Sequence, residues 1–306
     1  MIDLVRRTNL LVSLGSFAGL DGIWKLNADA ITLDLRDATG EVLSNASRKW
    51  LRISEHFASF GGAEVFLAVD CSNIQSQLDA AVWPGISGVL LSGVDDESSL
   101  RSTSSRLEEM EGRRGIGNGS LEIIPVLQTA EAVWRVGEII DAVPRIRQVV
   151  LDESSLARDI DIQPNLDIDP FVYARGRVVA ESISRGIQPV GAPHPLSTLH
   201  PELTEDYLKA EGVRIKDLGF KGMLFHHANW VSPFNSAFSP GENLVGYYEE
   251  VRRLFAEGVA RGTAAVPLGK RMIDVPVDEW AKAVLARSSS CKARDQQKLD
   301  AEHKLT

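Results

Sequence analysis

Eight short apolar runs, each followed by a stretch with helical spacing, constrain this chain more than any other feature. The runs are NLLVSL (9–14), AITLDL (30–35), EVFLAV (64–69), GVLLSG (88–93), EIIPVL (122–127), RQVVLD (147–152), GIQPVG (186–191) and GMLFH (222–226). None alternates strictly between apolar and polar residues, which is the pattern of strands buried on both faces of a parallel sheet. Helical spacing follows as a short helix ending near Lys25, then over 43–60, from about Asn73, and over 97–111, 129–142, 169–185, 203–217 and 242–261. Eight βα units in roughly 260 residues predict an α/β chain closed into a (β/α)8 TIM barrel. A doubly wound open sheet is the fallback, although it usually needs fewer units.

Turn residues agree with this division. Gly61-Gly62, Pro84-Gly85, Pro144, Gly186 and Gly219 punctuate the segment ends. The stretch GRRGIGNGS (112–120) precedes a strand instead of opening a helix, so it reads as a surface loop and not as a phosphate loop. Residues 1–262 are assigned to the barrel and 263–287 to an additional C-terminal helical cap segment, with Trp280, Val284 and Leu285 along one face. Residues 288–306 are polar and of mixed charge, the signature of a frayed helix or disordered tail.

Charge and cysteine content narrow the function classes. The formal net charge is −9 and the pI is near 5.3, which disfavours nucleic acid and anionic membrane as partners, because phosphates are repelled. No apolar run approaches twenty residues, and MIDLVRRTNLLVSLGSFAG lacks the apolar core of a secretory signal. Cys71 and Cys291 lie far apart and form neither a disulfide framework nor a zinc motif, so a cytoplasmic location is expected.

Chemistry in such folds gathers where strands end. The stretch GFKGMLFHHANWVSPFNSAFSP (219–240) passes from the apolar Met223-Leu224-Phe225 into His226 and His227, then through Asn229, Trp230 and Pro233 into a loop. Either histidine is a candidate acid or base; either is equally explained as a satisfied polar residue at a strand end.

Several blocks carry a family resemblance in the same order along the chain. ADAITLDLRDATGEVLSNASR, FVYARGRVVAESISRGIQPV, LGFKGMLFHHANWVSPFNSAFSP and GKRMIDVPVDEWAKAVL resemble characteristic segments of the HpcH/HpaI aldolase and citrate lyase β-subunit-like family. The resemblance implies a (β/α)8 barrel assembled as a trimer or hexamer, with the C-terminal segment reaching a neighbouring subunit's site. It implies a small anionic substrate, and carbon–carbon bond cleavage in an oxo acid, a hydroxy acid or an acyl-CoA-type thioester. In such relatives Mg²⁺ is held by one Glu and one Asp, and an Arg stabilises the developing enolate.

The aligned positions depart from that pattern. Gln128 stands where the Glu ligand belongs, and Ser155 where the Asp belongs. Ala68 replaces the enolate-stabilising Arg, Arg36 replaces a Glu in LDLRD, and LGSF keeps only Gly15 of a CoA-phosphate turn. No cofactor is therefore expected, with Mg²⁺ admitted only if Asp152 or Glu153 substitutes for the lost ligands. Retained positions include Asp34, Asp37, Arg48, Arg175, His227, Asn235 and Asp274.

His227 is the expected general acid/base. Arg36 is the expected anchor for a carboxylate or phosphate, with internal pairing to Asp37 or Glu41 as the alternative. Asp274, beside Lys270 and Arg271, is expected either to act across a subunit interface or to cap the helix at Pro276. Asp34, Asp37, Gln128, Ser155 and Asn229 complete the candidate substrate-binding set, and Arg175 is read as a structural ion pair. The functional expectation is a diverged lyase or aldolase-type enzyme without the usual Mg²⁺ site. A non-catalytic relative is one alternative, with Trp24, Trp83 and Trp230 as candidates for a partner-binding patch. An enzyme repurposed for a specialised biosynthetic pathway is the other.

Overall fold

A computed structural model describes residues 4–13, 27–38, 62–163, 168–192, 204–269 and 271–304, together with Gly40, Leu43 and Glu55. The expected helices ending near Lys25 and over 43–60 lie largely outside these residues. So do Gly15, Trp24, Glu41, Arg48 and Lys270.

Eight parallel strands close into a barrel in sequence order. They are β1 (Thr8–Ser13), β2 (Ala30–Asp34), β3 (Glu64–Asp70), β4 (Gly88–Ser92), β5 (Glu122–Leu127), β6 (Gln148–Leu151), β7 (Gln188–Gly191) and β8 (Gly222–Phe225). β1 pairs with both β2 and β8, which completes the ring. Each corresponds to one of the eight apolar runs, so the barrel expectation holds.

Side chains alternate along each strand and sort into two cores. Leu11, Ala30, Phe66, Ala68, Leu90, Ile124, Val126, Val150 and Val190 form the cluster inside the barrel. The opposite parity, including Leu10, Ile31, Val65, Val89, Ile123 and Val149, packs outward under the helices. Such layers fill a small barrel completely.

Charges close the N-terminal end of the interior. Arg6 lies 1% exposed and donates to Glu64 (2.6 Å), Glu122 (2.6 and 2.8 Å) and Gln148 (3.1 Å). Burial opposes its charge, but its hydrogen bonds to both carboxylates outweigh that and hold the guanidinium above its ordinary range. Two glycines make room here. A Cβ on Gly222 would lie 2.2 Å from the Arg6 carbonyl oxygen, and one on Gly88 2.2 Å from that of Glu122.

Asparagine, threonine and aspartate start the helices as expected of N-caps. Asp96 caps Glu97–Arg114, Thr129 caps Ala130–Trp134, and Thr204 caps Glu205–Asp217. The expected helix over 129–142 is broken at Arg135 into Ala130–Trp134 and Val136–Asp141. The expected loop after Trp230 is instead the helix Val231–Phe238. Pro233 is tolerated there because the first turn's N–H groups have no intrahelical acceptor.

The C-terminus corrects a larger expectation. After a hairpin of β9 (Val266–Leu268) and β10 (Arg271–Ile273), one helix runs from Val275 to His303. It packs along the helix Glu242–Ala260 through Val251, Phe255, Ile273 and Ala281, and Arg252 pairs with Asp278. The segment 288–303 is therefore neither frayed nor disordered. Ser288, Cys291, Lys298 and Ala301 are buried at helical spacing. Asp295 pairs with Arg7 (2.5 Å), Lys298 with Asp29 (2.6 Å), and Arg294 donates to the Asp29 carbonyl (2.6 Å). This end of the helix is held by ions that complement the barrel floor.

Asp29 sits at the centre of that floor, fully buried between Arg7 (2.8 Å) and Lys298. Burial raises its pKa, but Arg7 and Lys298 win and pull it from the ordinary 3.8 to about 2. A depressed carboxylate contributes stability above its unfolded pKa and loses it as pH falls through the folded one. Asp29→Asn is expected to lose about 3 kcal/mol at pH 7, because it leaves the buried Arg7 and Lys298 with only the part-exposed Asp295 between them. In urea unfolding, the gap between the two proteins should narrow from about pH 4 toward 2; a gap independent of pH contradicts this assignment.

Candidate active site

The inward parity continues past the ends of the strands and builds the mouth of the barrel. Two residues beyond Val126 comes Gln128, beyond Val150 Asp152, beyond Leu224 His226, and beyond Leu90 Ser92. A cavity of 350 Å³ opens there above Leu11, Leu90, Val126, Val150 and Leu224. Its polar lining is Arg36, Gln128, Asp152, Ser154, Ser155, Arg158, His226 and His227, with Trp230 at one side.

Arg36 follows the end of β2 and folds back on it. Its Nε and Nη2 donate to the two oxygens of Asp34 at 2.8 and 2.6 Å, and Nη1 reaches Ser92 Oγ at 3.4 Å. Gln77, fully buried, fixes this loop by donating to the carbonyls of Leu35 (2.8 Å) and Arg36 (3.1 Å). The pair with Asp34 holds Arg36 above its ordinary range against burial, with Asp152 and Asp37 adding to it. Asp34 is lowered in turn: burial opposes its charge, and Arg36 outweighs burial. The internal partner of Arg36 is thus Asp34.

A second group links β5 and β6. Ser155 Oγ donates to Asp152 Oδ2 at 2.6 Å, while Asp152 Oδ1 accepts from the Ser155 N–H at 3.1 Å and caps the helix Glu153–Asp159. The Gln128 amide donates to Asp152 (3.2 Å) and Ser155 (3.3 Å), and its carbonyl accepts from the Gly93 N–H (3.2 Å). Arg158 donates to Ser155 Oγ at 3.0 Å.

β8 supplies the third side. His226 is pushed below the ordinary imidazole value, by burial first and then by Arg36 and His227, while Asp34 and Asp152 act in the opposite direction. It therefore stands neutral at neutral pH. His227 lies with its ring centroid 4.7 Å from that of Trp230. Trp230 is 1% exposed and packs on Phe225 and Phe234, which removes it from any partner-binding patch. Trp83 is half-buried beneath the Arg114 guanidinium.

Arg36, Gln128, Ser155 and His227 thus converge on one cavity, with Asp34 directly behind Arg36. Asp37 is exposed and lies outside the cavity lining, as does Asn229 on the turn Ala228–Trp230. Asp274 does not line this mouth either; it caps the C-terminal helix by accepting from the Val277 N–H at 3.1 Å. Glu153 points away from the cavity into a buried pair with Arg175 (2.6 Å), which also binds Asp169 (2.5 Å). Arg175 is thus the structural ion pair expected, and Glu153 is not available to the mouth. Arg158 is a mouth residue that the sequence reading did not single out. Its signal was present: it lies on the helix that Asp152 opens, one turn beyond Ser155.

These features define a closed parallel barrel with a polar, charge-lined mouth at the C-terminal ends of its strands. The family model for HpcH/HpaI aldolase/citrate lyase matches residues 9–228, and the chain belongs to that family. The citrate lyase subunit beta of Haemophilus influenzae is 22% identical over 289 residues, covering 94% of this chain and 98% of its own. A citrate lyase structure from Burkholderia xenovorans LB400 superposes with a TM-score of 0.72 at 14% identity, covering 96% of each chain. The CitE protein of Mycobacterium tuberculosis, solved in complex with magnesium, acetoacetate and coenzyme A, gives 0.67 at 16% identity over 94% of this chain and 99% of its own.

The electrostatics of the mouth have a direct readout. In an NMR titration the His226 ring should titrate below 6.5, the ordinary histidine value. Arg36→Met removes a depressing charge and frees Asp34 to act alone, so the midpoint should rise. An unchanged or lower midpoint in the variant contradicts the assigned arrangement.

Proposed function

We propose that the barrel mouth binds a small 3-hydroxy acid or its acyl thioester that carries a carboxylate on the third carbon, and cleaves the bond between its second and third carbons, without a resident divalent cation. The observation that carries this reading is the position of the Arg36 guanidinium, fixed by Asp34 in the same 350 Å³ cavity as Asp152, Gln128 and a neutral His226.

The donor set supports the metal-free part. Mg²⁺ requires near-octahedral oxygen ligands and favours carboxylates. Here Asp34 is occupied by Arg36 and Glu153 by Arg175. The Gln128 carbonyl is engaged by Gly93, and Asp152 accepts from both Ser155 and Gln128. One carboxylate between two guanidiniums does not fit a divalent cation.

The chain's own groups supply the steps. Arg36 receives the substrate carboxylate, for which a planar fork of donors is suited. Neutral His226 accepts the proton of the 3-hydroxyl. The bond between the second and third carbons then breaks, the third carbon becomes a carbonyl, and the electron pair passes to an enolate on the acyl fragment. On binding, the Gln128 amide and the Ser155 hydroxyl turn from Asp152 and donate to the developing oxygen. His226 returns the same proton to the second carbon, which releases an oxo acid and the acyl product. His227 is the alternative proton carrier. Assembly as a trimer or hexamer belongs to the same proposal, with residues 263–287 and Asp274 approaching a neighbouring mouth. Exposed Met272 and Val275 on that segment support it.

One observation favours a second reading, a non-catalytic relative: Arg36 and Ser155 are each already satisfied within the chain, at 2.6 Å. The test is cleavage of 3-carboxy-3-hydroxyacyl-CoA thioesters by the purified protein, with oxo acid release as readout. Turnover is expected to survive chelation. His226→Gln should lower kcat by about 10²- to 10⁴-fold, whereas His227→Gln should leave most of it. The opposite ranking assigns the proton to His227. Absence of both turnover and oxo acid binding in the wild type overturns the lyase reading.

A further inference from the structure

A second cavity, of 580 Å³, opens at the other end of the barrel from the mouth. Residues 219–221, which lead into the start of β8, form its floor, and the helices Val172–Ser184, Glu242–Ala260 and Val275–His303 form its walls. Its apolar surface comes from Ile183, Phe220, Phe238, Leu244 and Trp280. Phe220 and Phe238 are buried, but Ile183, Leu244 and Trp280 are 42%, 46% and 62% exposed. This is an open apolar groove and not a void in the core.

Its charges run against the rest of the chain. The net charge is −9, yet among the described residues the lining contains Lys216, Lys221 and Arg287 and no Asp or Glu. Lys216 Nζ donates to the Ala237 carbonyl at 3.0 Å, and Arg287 donates to the Leu4 carbonyl at 2.7 Å. Among the described residues, neither Lys221 nor Arg287 has a carboxylate within ion-pair distance. Burial and then Arg287 push the Lys221 ammonium below its ordinary range. Arg287 is lowered likewise by burial, with Arg7 adding to it and Cys291 and Asp29 opposing without reversing it. Two half-shielded cations on an apolar floor are relieved by an anion that brings its own apolar body.

We propose that this groove binds an amphipathic monoanion, a medium-length aliphatic chain carrying one carboxylate. The carboxylate sits on Lys221 and Arg287, and the chain lies along Phe220, Phe238 and Trp280. The volume is that of an ordinary small-molecule site, about 300–1,000 Å³. The missing acidic residues provide the selection: a cation with the same chain meets repulsion at the floor. The site is independent of the mouth chemistry.

The test is calorimetric titration of the full chain with decanoate, with decyltrimethylammonium as the same chain of opposite charge, and with acetate as the head group alone. One decanoate per chain is expected, and neither control should bind over the same concentration range. Lys221→Met, which keeps the stem and removes the charge, should weaken decanoate binding at least tenfold. Leu244→Glu, at an exposed position, should do the same, while Arg36→Met at the mouth should not. Thermal melts establish that each variant is folded. Equal binding of anion and cation, or an unchanged affinity in Lys221→Met, overturns the proposal. So does failure to bind decanoate; self-association that Trp280→Glu abolishes would then give the groove to a second copy of the chain.

Discussion

The buried Arg6 guanidinium, clamped between Glu64 and Glu122 inside the N-terminal end of the barrel, is the interaction on which the rest of the structure depends. It ties β3, β5 and β6 to the segment before β1, and thereby sets which parity of each strand faces inward. From Glu122 inward to Ile124, Val126 and Gln128 the path runs from floor to mouth. From Gln148 it runs through Val150 to Asp152. A one-residue slip would turn every mouth residue outward. The charges at one end therefore position the charges at the other, across an apolar middle.

The same logic explains the C-terminal helix. Arg7 and Asp29 lie outside the interior layers at the floor, and Asp295, Lys298 and Arg294 complete their pairing. Family membership accounts for the barrel, and the proposed function differs from what that family resemblance implies only at the mouth. A guanidinium can hold an anion where a metal would otherwise do so, and it needs no carboxylate cage to retain it.

The strands were legible in the sequence because burial on both faces leaves uninterrupted apolar runs of the right length. The convergence of Arg36, Gln128 and Ser155 was legible for the same reason, since each lies within four residues of a strand's C-terminal end. The proposed preference for His226 over the expected His227 rests on the inward parity of Leu224, which a four-residue apolar run does not reveal. Asp37 and Asn229 failed as cavity residues because loop positions one residue apart diverge once strand pairing stops. The packed tail was invisible for a different reason. Its buried face is made of charges, and their partners Arg7 and Asp29 lie well over 200 residues earlier in the chain. A polar, mixed-charge segment reads as disordered until those partners are known.

The central claim is that the mouth holds an anion through Arg36 and no divalent cation. Equilibrium titration of the metal-stripped protein tests it most directly, with Mg²⁺ or Mn²⁺ alone, with an oxo acid alone, and with both. The account predicts no measurable metal binding, and oxo acid binding that is indifferent to metal and lost in Arg36→Met. Tight metal binding, or oxo acid binding that requires metal, would contradict it.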